Sequence, residues 1–529
     1  MSLLRSNLVV AAGTALSRVT GLLRTFVFLY VLGQTALSDA YLLANETPNI
    51  VYDLLLGGVL SATLVPLFTQ LMQSDTDGDG ERDTNVVITV AITLMAALTA
   101  VAMLAAPLIF RLYNLNPSEG VDVALFRQVG TTLTRIFLLQ ILFYGLTGVA
   151  NAYLNSRRRF FAAAWSPILP NLIIVATLLS LPGAGEREFQ LADVVDDRRV
   201  RLTLGLGATL GIAAMAAVVV PAMLAAGLRF RPRFQFRHPA VRKLLVLSGW
   251  TVGFVAANQV ALIVVRNLAQ GRGEGFASSY FAAFTWFVLP HGLLAVSIAT
   301  TFQPELARAV KARDKRAFTH QSALGVRMIA FLTFPAAAGL IALADPIIGL
   351  MQRGQFDPVD RINTARALIG LAVGLVGFSV YLFTLRGFYA HQDTRTPFVL
   401  NVFENVFNIV LAIVFVRWWG ILGLGLAYGV AYIVASVWAL KVLSYKVPGF
   451  PLRELVSSGW RMLLAAALMV EAMWFVTHRV HDDAGWIGLA QIVVGGLVGL
   501  VVYAAVLMLL GSREVADVRN LLNRRRQPG

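Results

Sequence analysis

The chain has no cysteine in 529 residues, which excludes disulfides, thiol nucleophiles and thiolate metal sites. It is also poor in charge. Asp, Glu, Lys and Arg together make up 14% of it, against about 25% in ordinary soluble domains. No G-x-x-x-x-G-K-[ST] stretch occurs, which argues against ATP hydrolysis by a phosphate-cradling loop. No cofactor is expected, and energy for work must come from the membrane potential or a monovalent cation gradient. Apolar residues, by contrast, reach 57%. Runs of about eighteen or more recur from end to end, each long enough to cross a bilayer.

Cutting at charge clusters and Pro/Gly turns gives fourteen candidate helices near 8–33, 38–72, 85–112, 124–155, 161–182, 202–228, 239–270, 276–306, 318–345, 362–390, 396–416, 419–441, 456–477 and 485–511. The expected class is therefore an all-α polytopic membrane protein. The first run lacks a small-residue cleavage site and carries two arginines, so it is read as a span and not as a removable signal. The net charge of +15 would suggest nucleic acid in a soluble protein, but there is no soluble domain to hold such a site. The basic clusters "SRRRF" (156–160), "RFRPRFQFRHPAVRK" (229–243), "RAVKARDKR" (308–316) and "NRRRQPG" (523–529) fall on one side of the membrane if the N-terminus is cytoplasmic. About 25 Lys/Arg then lie on that side and about eight on the other, the asymmetry that the positive-inside rule requires. Both termini are expected in the cytoplasm.

"SATLVP" (61–66) recurs in form as "ATTFQP" (299–304), and "GVANAYLNSRRRFFAAAWSPILPNLIIVA" (148–176) resembles "GFYAHQDTRTPFVLNVFENVFNIVLA" (387–412) at nearly the same offset. Helices one to six and seven to twelve read as two copies of one unit. Six is even, so both copies enter the membrane in the same direction, the parallel-repeat arrangement of some transporters. The expected divisions are an N-terminal lobe at 1–228, a C-terminal lobe at 229–442, and 443–529 with two further helices and a basic tail. Gly and Pro within the spans, such as Gly57-Gly58, Pro167, Pro170, Gly374 and Gly377, permit bending and close packing.

Charges inside the spans are the candidate functional residues. In the first helix Ser17, Gly21 and Arg24 fall within about 60° of one another on a helical wheel, and Arg18 lies about 100° from Ser17. Lipid-facing arginines are expensive, so this face is expected to line an interior cavity. Arginine suits phosphate because its planar fork donates two parallel hydrogen bonds and stays charged. The alternative is a structural arginine paired with a carboxylate or with carbonyl groups. Asp39, Glu46 and Asp53 are spaced by seven, nearly stacked on one face. Asp39 also suits an ordinary helix start, and Glu46 and Asp53 could pair with Arg18 and Arg24. Arg266, Arg386 and Glu404 are further candidate intramembrane charges. "DTDGDGERDTNV" (75–86) mimics a calcium loop but has Val86 where a bidentate Glu is needed. "HRVHDD" (478–483) is a weak metal candidate. No metal site or catalytic residue is expected.

"SRVTGLLR" (17–24), "SDAYLLANETPNIVYDLLLGGVLSATLVP" (38–66) and "GFYAHQDTRTP" (387–397) resemble the MurJ (MviN) family of lipid II flippases, within the multidrug/oligosaccharidyl-lipid/polysaccharide exporter superfamily. The resemblance extends over nearly the whole chain. It implies an inner-membrane flippase, not an enzyme, which moves an undecaprenyl-diphosphate-linked muropeptide to the outer leaflet by alternating access. It implies a diphosphate and sugar-peptide site in a cationic cavity, with Arg18, Arg24, Ser17, Asp39 and Asn49 (of the Pro48-Asn49 pair) matching the family's positions. A groove beside the last two helices would take the lipid tail. Membrane lipids and cell-wall synthesis proteins are the implied partners. The sequence departs from the family at Tyr52 and Asp53, where many members carry arginine, and at Thr285, where members often have a cavity arginine; Arg266 is the candidate to compensate, with a substrate phosphate or Asp39, Glu46 or Asp53 to balance its charge. A flippase for another polyprenyl-linked oligosaccharide, or a drug exporter, is the nearest alternative. A membrane-embedded glycosyltransferase or phosphatase, or a non-transporting scaffold, is the alternative of another class.

Overall fold

A backbone in hydrocarbon must satisfy its own hydrogen bonds, and helices do this within one segment. The computed structural model describes residues 3–54, 64–73, 79–157, 159–477, 485–512 and 514, and among these there is helix but no strand. Among the described residues ten helices are long and apolar enough to cross a membrane, and eleven if a bent pair is counted as one span.

Two compact units emerge. The first comprises residues 1–278 with 353–356. It holds α1 (Leu3–Leu32), α2 (Ala36–Leu54), α3 (Val65–Gln73), α4 (Asp79–Leu104), α5 (Ala106–Tyr113), α6 (Val123–Leu138), α7 (Gln140–Ser156), α8 (Phe161–Trp165), α9 (Ile168–Leu179), α10 (Leu191–Asp196), α11 (Arg198–Ala225) and α12 (Pro239–Gln270). Its core includes Phe68 of α3, Val87 and Ile88 of α4, Tyr153 of α7 and Val219 of α11. The repeat assigns α12 to the second lobe by topology; by packing it lies on α2, α4 and α5. The short segment 353–356 is tied to α1, where the Gln355 N–H donates to the Tyr30 carbonyl at 3.0 Å.

The second unit comprises residues 279–352 and 357–529. Its elements are most of α13 (Phe276–Pro290), then α14 (Val296–Lys311), α15 (Lys315–Ala342), α16 (Ala344–Gly349), α17 (Pro358–Val373), α18 (Leu375–Ala390), α19 (Arg395–Lys446), α20 (Leu452–Thr477) and α21 (Gly485–Leu509). A π-helical turn, His291–Ala295, follows Pro290; proline removes an N–H from the ladder, and a wider turn absorbs the defect. The α17–α18 pair bends by 47°, with Gly374 at the junction.

Helix α19 is formally 52 residues long, but it is two spans. Gly420 at φ 55, ψ −131 interrupts it, a backbone geometry that glycine reaches without a Cβ penalty. The rings of Phe403 and Trp438 stand 4.5 Å apart. Along one straight helix those residues would be separated by roughly 50 Å, so the chain folds back on itself. Lys446 accordingly reaches Asp393 and Thr396 at the base of the hairpin. This agrees with the expected helices at 396–416 and 419–441, and the elements as a whole are consistent with fourteen spans.

Small residues mediate helix contact. A Cβ on Gly377 would lie 2.7 Å from the Ile433 nitrogen, and one on Gly425 would lie 2.7 Å from the Ala367 carbonyl oxygen. Gly374 thus marks the bend and Gly377 a close approach, the two uses expected of them.

Candidate functional site

Helix α1 sets the first part of the site. Its small-residue face packs against α8 and α9, which corrects the expectation that the whole face lines a cavity. Gly13 abuts Ala164 and Trp165. The Asn171 side chain donates to the Ser17 carbonyl at 3.2 Å and to the Thr20 hydroxyl at 3.1 Å. The wheel placed these residues on one face correctly; packing partners, invisible along a single chain, decided what the face meets. Arg18, turned about 100° away, is exposed.

Arg24, half-buried, interacts electrostatically with the Tyr41 and Tyr144 hydroxyls. Tyr144 belongs to a polar ladder between α2 and α7, and Tyr41 packs on Phe28 and Phe137 beside it. The Tyr144 hydroxyl donates to Asn49 Oδ1 at 3.0 Å, and the Gln140 amide donates to Asn45 Oδ1 at 3.2 Å. Both pairs are spaced by four residues on each helix, so they stack one turn apart. Tyr144 thus links Arg24 to Asn49. Asn45, Tyr41, Gln140 and Tyr144 were missed, although their spacing of four in apolar helices was a visible signal.

Arg266 forms a second cluster. Its Nη2 lies 2.7 Å from Glu46 Oε2, and the two side chains are 13% and 14% exposed. This is one of the partners the sequence left open to Arg266, and it takes Glu46 away from the expected pairing with Arg18 or Arg24. The Arg266 charge is already matched within the protein. The neighbouring residue holds the helix in rotation: Asn267 Oδ1 accepts from the Leu115 and Asn116 N–H groups, and its Nδ2 donates to the Leu112 carbonyl at 2.9 Å.

Asp39 is held by the backbone of Gly275 and Ser278 and by the Ser278 side chain. Its carboxylate accepts from the Gly275 N–H at 3.0 Å and the Ser278 N–H at 2.8 Å, at the start of α13. Glu274 returns the contact, accepting from the Ala36 N–H at the start of α2 at 2.6 Å. The two helix starts cap each other, which satisfies orphan donors. Asp39 is buried, and this geometry makes it a positioning residue. The Tyr52 and Asp53 side chains lie outside those described.

In the second unit Glu404 is buried on α19, in register with Asn401, Asn405 and Asn408, and faces Tyr432. Arg386 donates to Gln303. Thr285 donates to the Phe281 carbonyl of its own helix, so it acts as a helix-internal group. The calcium-like stretch is helical from Asp79, with Val86 fully buried, and cannot wrap a cation; 75–78 and "HRVHDD" lie outside the described residues. Among the described residues no group of three His, Asp or Glu could hold a metal.

A family model for the lipid II flippase MurJ matches residues 28–495. The chain belongs to the MurJ family. A probable lipid II flippase MurJ of Vibrio cholerae is 28% identical over 525 residues, covering 97% of each chain. A lipid II flippase MurJ of Burkholderia cenocepacia is 28% identical over 496 residues, covering 92% of each. Among solved structures, a lipid II flippase MurJ in an inward closed conformation superposes with a TM-score of 0.76 at 23% identity, covering 95% of this chain and 99% of that one. A MATE-family multidrug transporter of the MOP superfamily superposes at 0.65 with 14% identity, covering 80% and 95%. At these identities the two structures speak to the fold. The family is one of transporters, multi-pass in the membrane.

Proposed function

We propose that this chain carries lipid II from the inner to the outer leaflet of the cytoplasmic membrane by alternating access, with both termini in the cytoplasm. The observation that carries the reading is a contrast among three intramembrane arginines. Arg266 has a carboxylate partner. Among the described residues, Arg18 and Arg24 have none. An uncompensated cation inside a span is expensive, and a diphosphate is the ligand that would balance two of them through forked hydrogen bonds. Arg24 sits beside an amide and tyrosine ladder suited to sugar and peptide groups, with Asn49 and the Ser17 region as further contacts. The membrane potential or a monovalent cation gradient supplies the energy. The test is leaflet-resolved lipid II accessibility in cells depleted of this protein. Accumulation in the inner leaflet supports the reading, and unchanged exposure at the outer leaflet overturns it.

A further inference from the structure

The stretch "LRFRPRFQFRHP" (228–239) alternates arginine and aromatic residues. After α11 ends at Ala225, Gly227 turns the chain at φ 102, and residues 228–235 run without regular secondary structure. They form a strap tied down by its backbone. Asn85 of α4 donates to the Arg229 carbonyl at 3.1 Å and accepts from the Arg231 N–H at 2.9 Å. One helical turn on, the Thr89 hydroxyl accepts from the Arg233 N–H at 3.0 Å. Leu228 is buried at one end, and His238 meets Asp83 at 3.3 Å at the other.

The backbones of 229, 231 and 233 therefore face α4 at every second residue, the period of an extended chain. What remains outside is unusual. Phe230, Phe234 and Phe236 are 40%, 67% and 52% exposed, and Arg229, Arg231 and Arg237 are exposed beside them. No acidic residue occurs between 229 and 237. Of the described acidic side chains on α4, Asp83 is taken by His238, leaving Glu81. The basic loop after α7 adjoins the strap, with Arg159 donating to the Ala225 carbonyl at 3.4 Å.

Position along α4 decides what the strap faces. Its ties at Asn85 and Thr89 lie about 9–15 Å from the helix start at Asp79, where α4 passes from "ERD" to "VVITV". Leu224, just before the strap, is exposed on a helix that qualifies as a span. Aromatic rings favour the headgroup boundary, and juxtamembrane Lys/Arg clusters favour acidic lipid.

We propose that residues 228–237 form a docking strap for the anionic membrane surface, with arginines on phospholipid phosphates and the three phenylalanines in the headgroup–acyl boundary. The charge complementarity and the pinned, outward-facing aromatics commit it to lipid and not to a soluble partner.

The chain has no native cysteine, so bimane at Gln235→Cys reports this strap alone. It is measured in nanodiscs of phosphatidylcholine and of an equimolar mixture with phosphatidylglycerol. Quenching by neutral aqueous acrylamide should fall at least about threefold in the acidic discs and recover in high salt. Excess inorganic phosphate should change nothing; release by phosphate would overturn lipid docking in favour of a free-anion site. The triple variant Arg229→Gln/Arg231→Gln/Arg237→Gln should erase the lipid dependence, and its persistence there would also overturn the proposal. Should that variant aggregate, the comparison of the two disc compositions in the otherwise native chain still decides. Equal quenching in both refutes the strap.

Discussion

Arg18 and Arg24 differ in setting, one exposed and one beside Tyr41 and Tyr144, yet among the described residues neither has a carboxylate partner. Arg18→Ala and Arg24→Ala are therefore expected to abolish complementation of a strain lacking its own flippase, with membrane protein levels near normal. Arg→Lys should rescue only in part, because a point charge lacks the fork. Normal growth on either alanine variant would refute the role. Arg266 should behave in the opposite way. Arg266→Gln leaves Glu46 buried without its partner, a loss of about 3–5 kcal/mol, seen as a lowered midpoint of unfolding in detergent. Arg266→Gln/Glu46→Gln should recover most of it. If the single variant unfolds like wild type, the pair is not structural.

At the scale of elements, the α17–α18–α19 contacts depend on glycine. Gly377→Leu places side-chain atoms where the Ile433 backbone already lies, and overpacking of this kind is worth about 1–3 kcal/mol. Thermal denaturation should register it, whereas Gly459→Leu, with open space around it, serves as the control that should not move. The base of the α19 hairpin is closed by Asp393. Burial alone would push its carboxyl up, but hydrogen bonds from Lys446 and Thr396 hold it down at about 2. A depressed carboxyl stabilises the folded state above its unfolded value, near 4, and that contribution is lost as pH falls from there toward 2. Protection of the amides at 393–396, relative to their intrinsic exchange rates, should fall across this window in the native chain. Asp393→Asn should remove the pH dependence; an unchanged profile would show that the clamp does not hold the hairpin.

At the scale of the whole molecule, the Lys/Arg asymmetry makes a topological claim. With both termini inside, Gln190→Cys should react with a membrane-impermeant maleimide in intact cells, and Gln235→Cys should react only after permeabilisation. The reverse pattern would invert every assignment of inside and outside, the strap included.

Several features could be read along the chain because each depends on short-range pattern. Apolar run length gave the spans, since a helix must match a bilayer. The folding back near residues 417–420 was visible because "RWWG" combines a charge, aromatics and a glycine. The face shared by Ser17 and Arg24 follows from helical periodicity. Partnership was a different matter. Glu46 could have met Arg18, Arg24 or Arg266, and nothing in a spacing of seven distinguishes them. The choice fell to Arg266 because Asn267 fixes the rotation of α12 against the loop after α5. Asp39 sits where a carboxylate suits the start of its own helix, yet tertiary structure turned it onto the start of α13. Sequence thus determined which charges enter the membrane, because hydrophobic length and periodicity are local. Only the fold decided which of those charges are already neutralised, because pairing depends on which helices meet and at what rotation.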